Sequence, residues 1–311
     1  MNVLVVGGAG YVGGGIVDQL KSKHSVTVYD SLIYEESYRK DVNFVNGDIR
    51  DTNKLLPLLD QSDAVIWLAA LVGDGACAIN PKLTFEINSE SVKFLVENFK
   101  KRIVFLSTCS VYGAQDGLLD ENSSVNPLSE YASSKVQAEE YLKGTNSIIF
   151  RLGTLFGISD EFSRIRLDLV VNILVTKALT EGKLTVFGGD QWRPLLHVTD
   201  VANAINHTIE LETTGIFNLH YQNYKIIDIA NAIIKKVPNA SIETTPMKFQ
   251  DARNYQVSSD KLFIETGFKS AVELTKGIDE VYNLISSNRI KNVNHIRYSN
   301  QNFLEKYGVT W

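Results

Sequence analysis

A short, mostly apolar run from Met1 to Val6 stops at Gly7-Gly8-Ala9-Gly10-Tyr11-Val12-Gly13, and a helical pattern follows from Tyr11 to Lys23. This order of strand, glycine turn and helix limits the possible folds more than any other stretch. The run reads as a buried parallel strand. Gly7, Gly10 and Gly13 have Gly-x-x-Gly-x-x-Gly spacing. Such glycines permit a tight turn, close approach of a pyrophosphate to backbone N–H groups, and close helix–strand packing. A second strand, 25–29, ends at Asp30, 17 positions past Gly13. An acidic group there can take both hydroxyls of an adenosine ribose. No arginine follows it directly, so a 2′-phosphate would meet an unpaired carboxylate. NAD is therefore expected over NADP.

The alternation continues with strands at 42–45, 64–68, 103–106 and 147–151 and helices at 52–60, 81–99 and 128–143. Small residues after Leu68, namely Ala69 and Ala70, leave room for a cofactor along the sheet edge. Asn88 reads as a helix-packing amide bonded to backbone. Six β–α alternations predict an α/β fold with a doubly wound parallel sheet of the Rossmann type. After Gly157 the pattern changes to a polar loop at 159–166, a helix at 167–181, a strand at 184–187 and a turn-rich loop at 188–194. Helices at 200–211, 226–236, 258–266 and 272–287 and strands at 215–219 and 240–244 follow, then an irregular tail. This predicts a nucleotide-binding domain over 1–165 and a smaller α/β substrate domain over most of 166–311, with part of 195–222 returning to the first.

At 311 residues, 44% hydrophobic and 22% charged, the chain has the composition of a globular protein. A net charge of −5 without a lysine–arginine run argues against a nucleic-acid surface. No stretch approaches the length of a membrane span, and the first strand begins without a leader, so a cytoplasmic location is expected. Cys77 and Cys109 lack metal-ligand spacing and read as reduced thiols; no metal site is expected.

Tyr131-Ala132-Ser133-Ser134-Lys135 carries the chemistry. A tyrosine and a lysine four apart on a helix lie on one face. A lysine cation one turn away favours the phenolate, making the pair a general base, or an acid in reverse, for alcohol–ketone interconversion.

Taken together, these residues resemble the extended short-chain dehydrogenase/reductases, specifically the NAD-dependent nucleotide-sugar epimerases and dehydratases. The likeness rests on Gly7 to Gly13, Asp30, Asp48-Ile49, Leu68-Ala69-Ala70, Asn88, Thr108 with Val111-Tyr112-Gly113, Tyr131 with Lys135, Arg193 with His197 to Ala202, and Arg253. It implies that Gly7, Gly10 and Gly13, with Tyr11 and Val12, hold the NAD pyrophosphate. Asp30 would bind the adenosine ribose, Asp48 and Ile49 would line the adenine site, and Leu68, Ala69 and Ala70 would lie along the cofactor. Tyr131 would be the acid/base, Lys135 would hold the nicotinamide ribose and lower the tyrosine pKa, and Thr108 would bond the sugar hydroxyl. Asn172, Arg193 and Arg253 would meet the nucleotide diphosphate, a task that suits the guanidinium fork. The remaining arginines read as surface charge.

Three departures from that pattern matter, the first of them at a pair of positions. Cys109 and Ser110 stand where the dehydratases carry an acidic pair, so 4,6-dehydration is not expected. Val72 and Thr154 stand where galactose epimerases have lysine and asparagine. The resemblance implies an epimerase acting at C4 of a nucleoside-diphosphate sugar through a 4-keto intermediate. A 4-dehydrogenase or 4-ketoreductase would use the same half-reaction. A non-catalytic NAD-binding regulator is the alternative of another class. A homodimer through helices 81–99 and 128–143 is also implied.

Overall fold

A computed structural model describes residues 1–160, 162–246 and 253–309. Five strands, β1 (Asn2–Val6), β2 (Ser25–Asp30), β3 (Asn43–Asn46), β4 (Ala64–Trp67) and β5 (Arg102–Thr108), build most of the central sheet. Ser147–Leu152 and Gly215–Leu219 complete it in the order 215–219, 147–152, β5, β4, β1, β2, β3. Every pairing in it is parallel. The strand order reverses between β1 and β4, and the expected doubly wound sheet is what forms. At such a reversal the loops leaving the carboxyl ends diverge, and a crevice opens between them.

Parallel strands covered on both faces must be apolar on both. Alternate residues do divide this way. Val3, Val5, Val28, Ile66, Val104 and Phe150 pack on one face with Ile16, Val17, Val201 and Ile205 from helices Gly13–Leu20 and Val198–Thr208. Leu4, Val6, Val65, Trp67, Ile103 and Phe105 pack on the other, with Leu55, Val92 and Ala138. A third cluster, built around Leu174, Val186, Ile229 and Ile278, lies under the smaller sheets of the C-terminal half.

Several boundaries differ from expectation. The first helix begins at Gly13, so Tyr11 and Val12 stay in the turn. The helix expected over 81–99 contains a π turn, Glu86–Glu90, which carries Asn88. The extra residue turns the Asn88 amide onto Leu71, whose N–H and carbonyl it bonds at 2.8 and 2.9 Å. Trp192–His197, expected in part as loop, is a strand paired with Gln222–Lys225 and Thr154–Phe156. The tail is not irregular: Asn300–Tyr307 is a helix capped by Ser299, and its Leu304 is buried against the main core. With so few apolar positions, its pattern is too short to read alone.

Helix Glu130–Leu142 docks on the sheet through polar groups. Glu139 and Arg151 form a bidentate ion pair, at 2.6 and 3.0 Å, with side chains 4% and 5% exposed. Glu139 also accepts from Ser107, and Arg151 donates to the Tyr112 hydroxyl. Removing one partner of such a pair strands a buried charge. Arg151→Met is expected to destabilise the fold by about 3–5 kcal/mol in urea unfolding, with much of the loss recovered by adding Glu139→Gln. A loss below about 1 kcal/mol would contradict this, since that is the worth of an exposed pair.

Candidate active site

One cleft runs along the carboxyl ends of the sheet. Gly7, Gly10, Tyr11, Val12 and Gly13 line one side of it, Asp30 and Ile49 one end, and Leu68, Ala69, Ala70, Tyr131 and Lys135 the rest. The glycines act differently. Gly7 has φ +86°, and a Cβ on it would lie 2.4 Å from the Ala69 nitrogen. A Cβ on Gly13 would lie 2.5 Å from the Gly8 carbonyl oxygen. At Gly10 only the Gly7 carbonyl oxygen would be near, at 3.4 Å. Two glycines therefore close the turn and the third leaves its lip open. These residues fit a dinucleotide pyrophosphate.

The Asp30 carboxylate accepts from Ala9 N–H at 2.9 Å and Leu32 N–H at 2.8 Å, tying the end of β2 to the glycine turn. Burial raises its pKa above the ordinary value, while those backbone donors oppose the rise. Asp48 is not brought to the cleft. Its carboxylate is turned to Arg50 in a bidentate pair, Nη2 to Oδ2 at 2.6 Å, and only Ile49 of the expected pair lines the wall.

Ser129 caps the helix that carries Tyr131 by accepting from Ala132 N–H. Lys135 is 3% exposed; its Nζ donates to the Leu106 carbonyl at 2.9 Å and lies 4.6 Å from the Phe105 ring centroid. Burial pulls its pKa down from 10.5 to about 8. Burial also pushes the Tyr131 phenol up, with Cys77 and Asp74 adding to the rise and Arg166 and the Thr108 hydroxyl opposing it. Lys135 is thus held against β5, and burial rather than its charge dominates Tyr131.

The three residues expected at a diphosphate separate. Arg193 is 4% exposed and donates to the carbonyls of Trp192 and Arg253. Arg253 donates to Ser110 Oγ at 3.2 Å and pairs with Asp74 at 3.4 Å, and Ser129 donates to that same carboxylate. Arg193 and Arg253 therefore meet each other and are joined through Asp74 to the start of the Tyr131 helix, outside the lining of the cleft. Asn172 is fully buried. Its amide holds Gly157 through both backbone groups and the Arg166 carbonyl, behind the wall.

Among the cleft residues that sequence reasoning misses are Tyr34, Arg164, Arg166 and Asn300. The two arginines read as surface charge, yet Arg164 is 5% exposed and Arg166 forms a partly buried bidentate pair with Asp168. The alternation Arg164-x-Arg166-x-Asp168 is the signal that could have found them. Cys77 and Cys109 are free and buried, and Cys109 Sγ donates to the Arg151 carbonyl at 3.1 Å. Among the described residues, no helix is long and apolar enough to cross a membrane.

The Lys135 shift has a testable sign. Its folded pKa lies below its ordinary value, so between about pH 8 and 10.5 the unfolded chain binds the extra proton and stability from this group rises with pH. Lys135→Met removes the buried charge. It is expected to raise the melting temperature near neutral pH, and the gap should narrow as pH rises through that window. A variant that melts lower at neutral pH, or a gap that widens with pH, contradicts this.

Known proteins resemble this chain in sequence and fold. The chain is 28% identical over 321 residues to the UDP-glucose 4-epimerase of Lactobacillus helveticus, covering 90% of this chain and 94% of that one. The fold superposes on a UDP-glucose 4-epimerase from Thermotoga maritima, solved with UDP-glucose, at a TM-score of 0.84 and 22% identity, over 93% and 100% of the two chains. The UDP-glucose 4-epimerase of Thermus thermophilus, solved with NAD, gives 0.79 at 25% identity, over 91% and 98%. The NAD dependent epimerase/dehydratase family model matches residues 3–219, and with that span including the glycine turn, Asp30, Tyr131 and Lys135, the chain belongs to this family.

Proposed function

We propose that this NAD-dependent enzyme epimerises a nucleoside-diphosphate sugar at C4, with UDP-glucose as the first substrate to try. The reading is carried by one observation: Tyr131 and Lys135 line the same cleft as the glycine turn and Asp30. Held by the glycine turn and Asp30, NAD would supply reversible hydride exchange at C4. Tyr131 exchanges the O4 proton with the sugar, donating it to the ketone and removing it from the alcohol. Thr108, beside that phenol, favours its ionised form and bonds the sugar hydroxyl. Lys135 fixes the floor under the reacting centre through the Leu106 carbonyl. Arg193 and Arg253 hold the diphosphate while the keto sugar turns to present its other face.

Dehydration is not part of this reading, because Cys109 is buried against Arg151 and Ser110 is uncharged. The division into a nucleotide-binding domain over 1–165 and a mostly substrate-binding 166–311 is part of the proposal. The strand Gly215–Leu219 belongs to the central sheet, which supports the return of part of 195–222 to the first domain. A homodimer through the outer faces of the helices within 81–99 and 128–143 is proposed with it.

The test uses purified enzyme with UDP-glucose and other UDP-hexoses, following products by chromatography. Conversion to the C4 epimer without accumulating NADH is expected. Tyr131→Phe should still bind NAD and lose ~10²–10⁴-fold in turnover, the worth of a positioned acid/base. Near-normal turnover by Tyr131→Phe would refute the assignment, and one NADH per sugar would make the enzyme a dehydrogenase.

A further inference from the structure

The cleft that the glycine turn lines also contains groups that no step above uses. Arg164, deeply buried, stacks on Tyr34 with its guanidinium carbon 3.6 Å from the ring centroid. Its Nη1 donates to Asn300 Oδ1 at 2.6 Å and its Nη2 to the Arg297 carbonyl at 3.1 Å. Both acceptors are neutral. Among the described residues its buried Nε finds no acceptor, and the buried Tyr34 hydroxyl likewise finds no partner. Buried donors are almost always satisfied, and an orphaned one costs free energy. Here two orphans lie on stacked side chains that line one cleft.

The charges around them do not cancel. Arg166 takes Asp168, and Arg297 takes Glu35 at 2.8 Å. Among the described residues no carboxylate is bonded to Arg164, and burial with the nearby Arg166 charge lowers its pKa to about 10. At neutral pH it remains a cation in a low-dielectric wall, where an anion is attracted most strongly. The wall is also braced. Asn300 Nδ2 donates to the Val72 carbonyl at 2.8 Å, and Asn300 N–H donates to Asp168 at 2.8 Å. Tyr34 meets Phe303 edge-on at 5.0 Å. The C-terminal helix therefore joins the loop after β2, the loop after β4 and the 164–168 segment. A cation is thus held beside the loop after β4 through Asn300.

We propose that Arg164 and Tyr34 form a second anion-binding wall for the NAD pyrophosphate and its adenosine side, in the cleft that the glycine turn also lines and positioned by Asn300. A guanidinium suits this task because its edge presents parallel donors to phosphate oxygens. Among the described residues Arg102 also has an unpartnered Nε but lies off the cleft, whereas Arg164 and Tyr34 both line it. The assignment rests on NAD as the cofactor of this cleft.

The test is NAD binding itself. Wild type, Arg164→Gln and Tyr34→Phe are freed of nucleotide and titrated with NAD and, separately, with UDP as a probe of the sugar-nucleotide site. Circular dichroism confirms folding. Arg164→Gln is expected to weaken NAD about 10–100-fold, the worth of a hydrogen bond to a charged group. Tyr34→Phe keeps the stacking and is expected to cost roughly 2–10-fold. UDP affinity should stay within about threefold, and NAD affinity should depend less on salt in Arg164→Gln than in wild type. NAD affinity unchanged in both variants overturns the proposal, as does a loss that falls on UDP alone. Wild type that takes no NAD overturns both this assignment and the cofactor reading beneath it.

Discussion

The Glu139–Arg151 ion pair sets where the chemistry can happen. Tyr131, Lys135 and Glu139 follow one another at intervals of four on the same helix face. That face carries a buried lysine and a buried glutamate, and each is met by a fixed group on the sheet: Lys135 by the Leu106 carbonyl, Glu139 by Ser107 and Arg151. Sliding the helix by one turn would orphan both at once. Such pairing adds less to stability than to register. The phenol of Tyr131 is placed at the sheet edge because the two residues below it have only one place to go.

The same edge gathers the rest of the cleft. The strand order reverses between β1 and β4, and their loops must part there. Gly7 lets the β1 turn press against Ala69 at the end of β4, and Asp30 reaches back from β2 to bond Ala9 in that turn. Asn88, turned inward by the π turn, fixes Leu71 and also bonds Ser134 on the Tyr131 helix. Three turns and one helix are thus tied to one another before any ligand is considered. A rigid edge of this kind suits hydride exchange, in which small displacements between donor and acceptor cost rate.

What is legible in the sequence is whatever local pattern specifies. The apolar strands, the glycine turn and the Tyr131–Lys135 spacing carry their own signal, and the parallel sheet follows from their alternation. Less legible is whatever depends on distant partners. Arg164 and Arg166 look like loop arginines until Tyr34, Asp168 and Asn300, two of them far away in the chain, enclose them. Asn300–Tyr307 has too few apolar positions to announce a helix, and it is held by Leu304 and Phe303 against the core. Resemblance places Asp48 and Asn172 at ligands. In the folded chain Arg50 claims the one, and the backbone around Gly157 claims the other. Spacing also does not show that burial, with Cys77 and Asp74, pushes the Tyr131 phenol up.

The account claims that hydrogen leaves and returns to one carbon of a bound sugar, with Tyr131 handling only the proton on oxygen. The most direct measurement follows UDP-glucose deuterated at C4, or the UDP-hexose that the enzyme turns over, through conversion in ordinary water. The account predicts a C4-epimeric product that keeps its deuterium at C4 and gains no solvent hydrogen there. A product that has exchanged its C4 label for solvent hydrogen would contradict it, since the hydrogen would then have left as a proton.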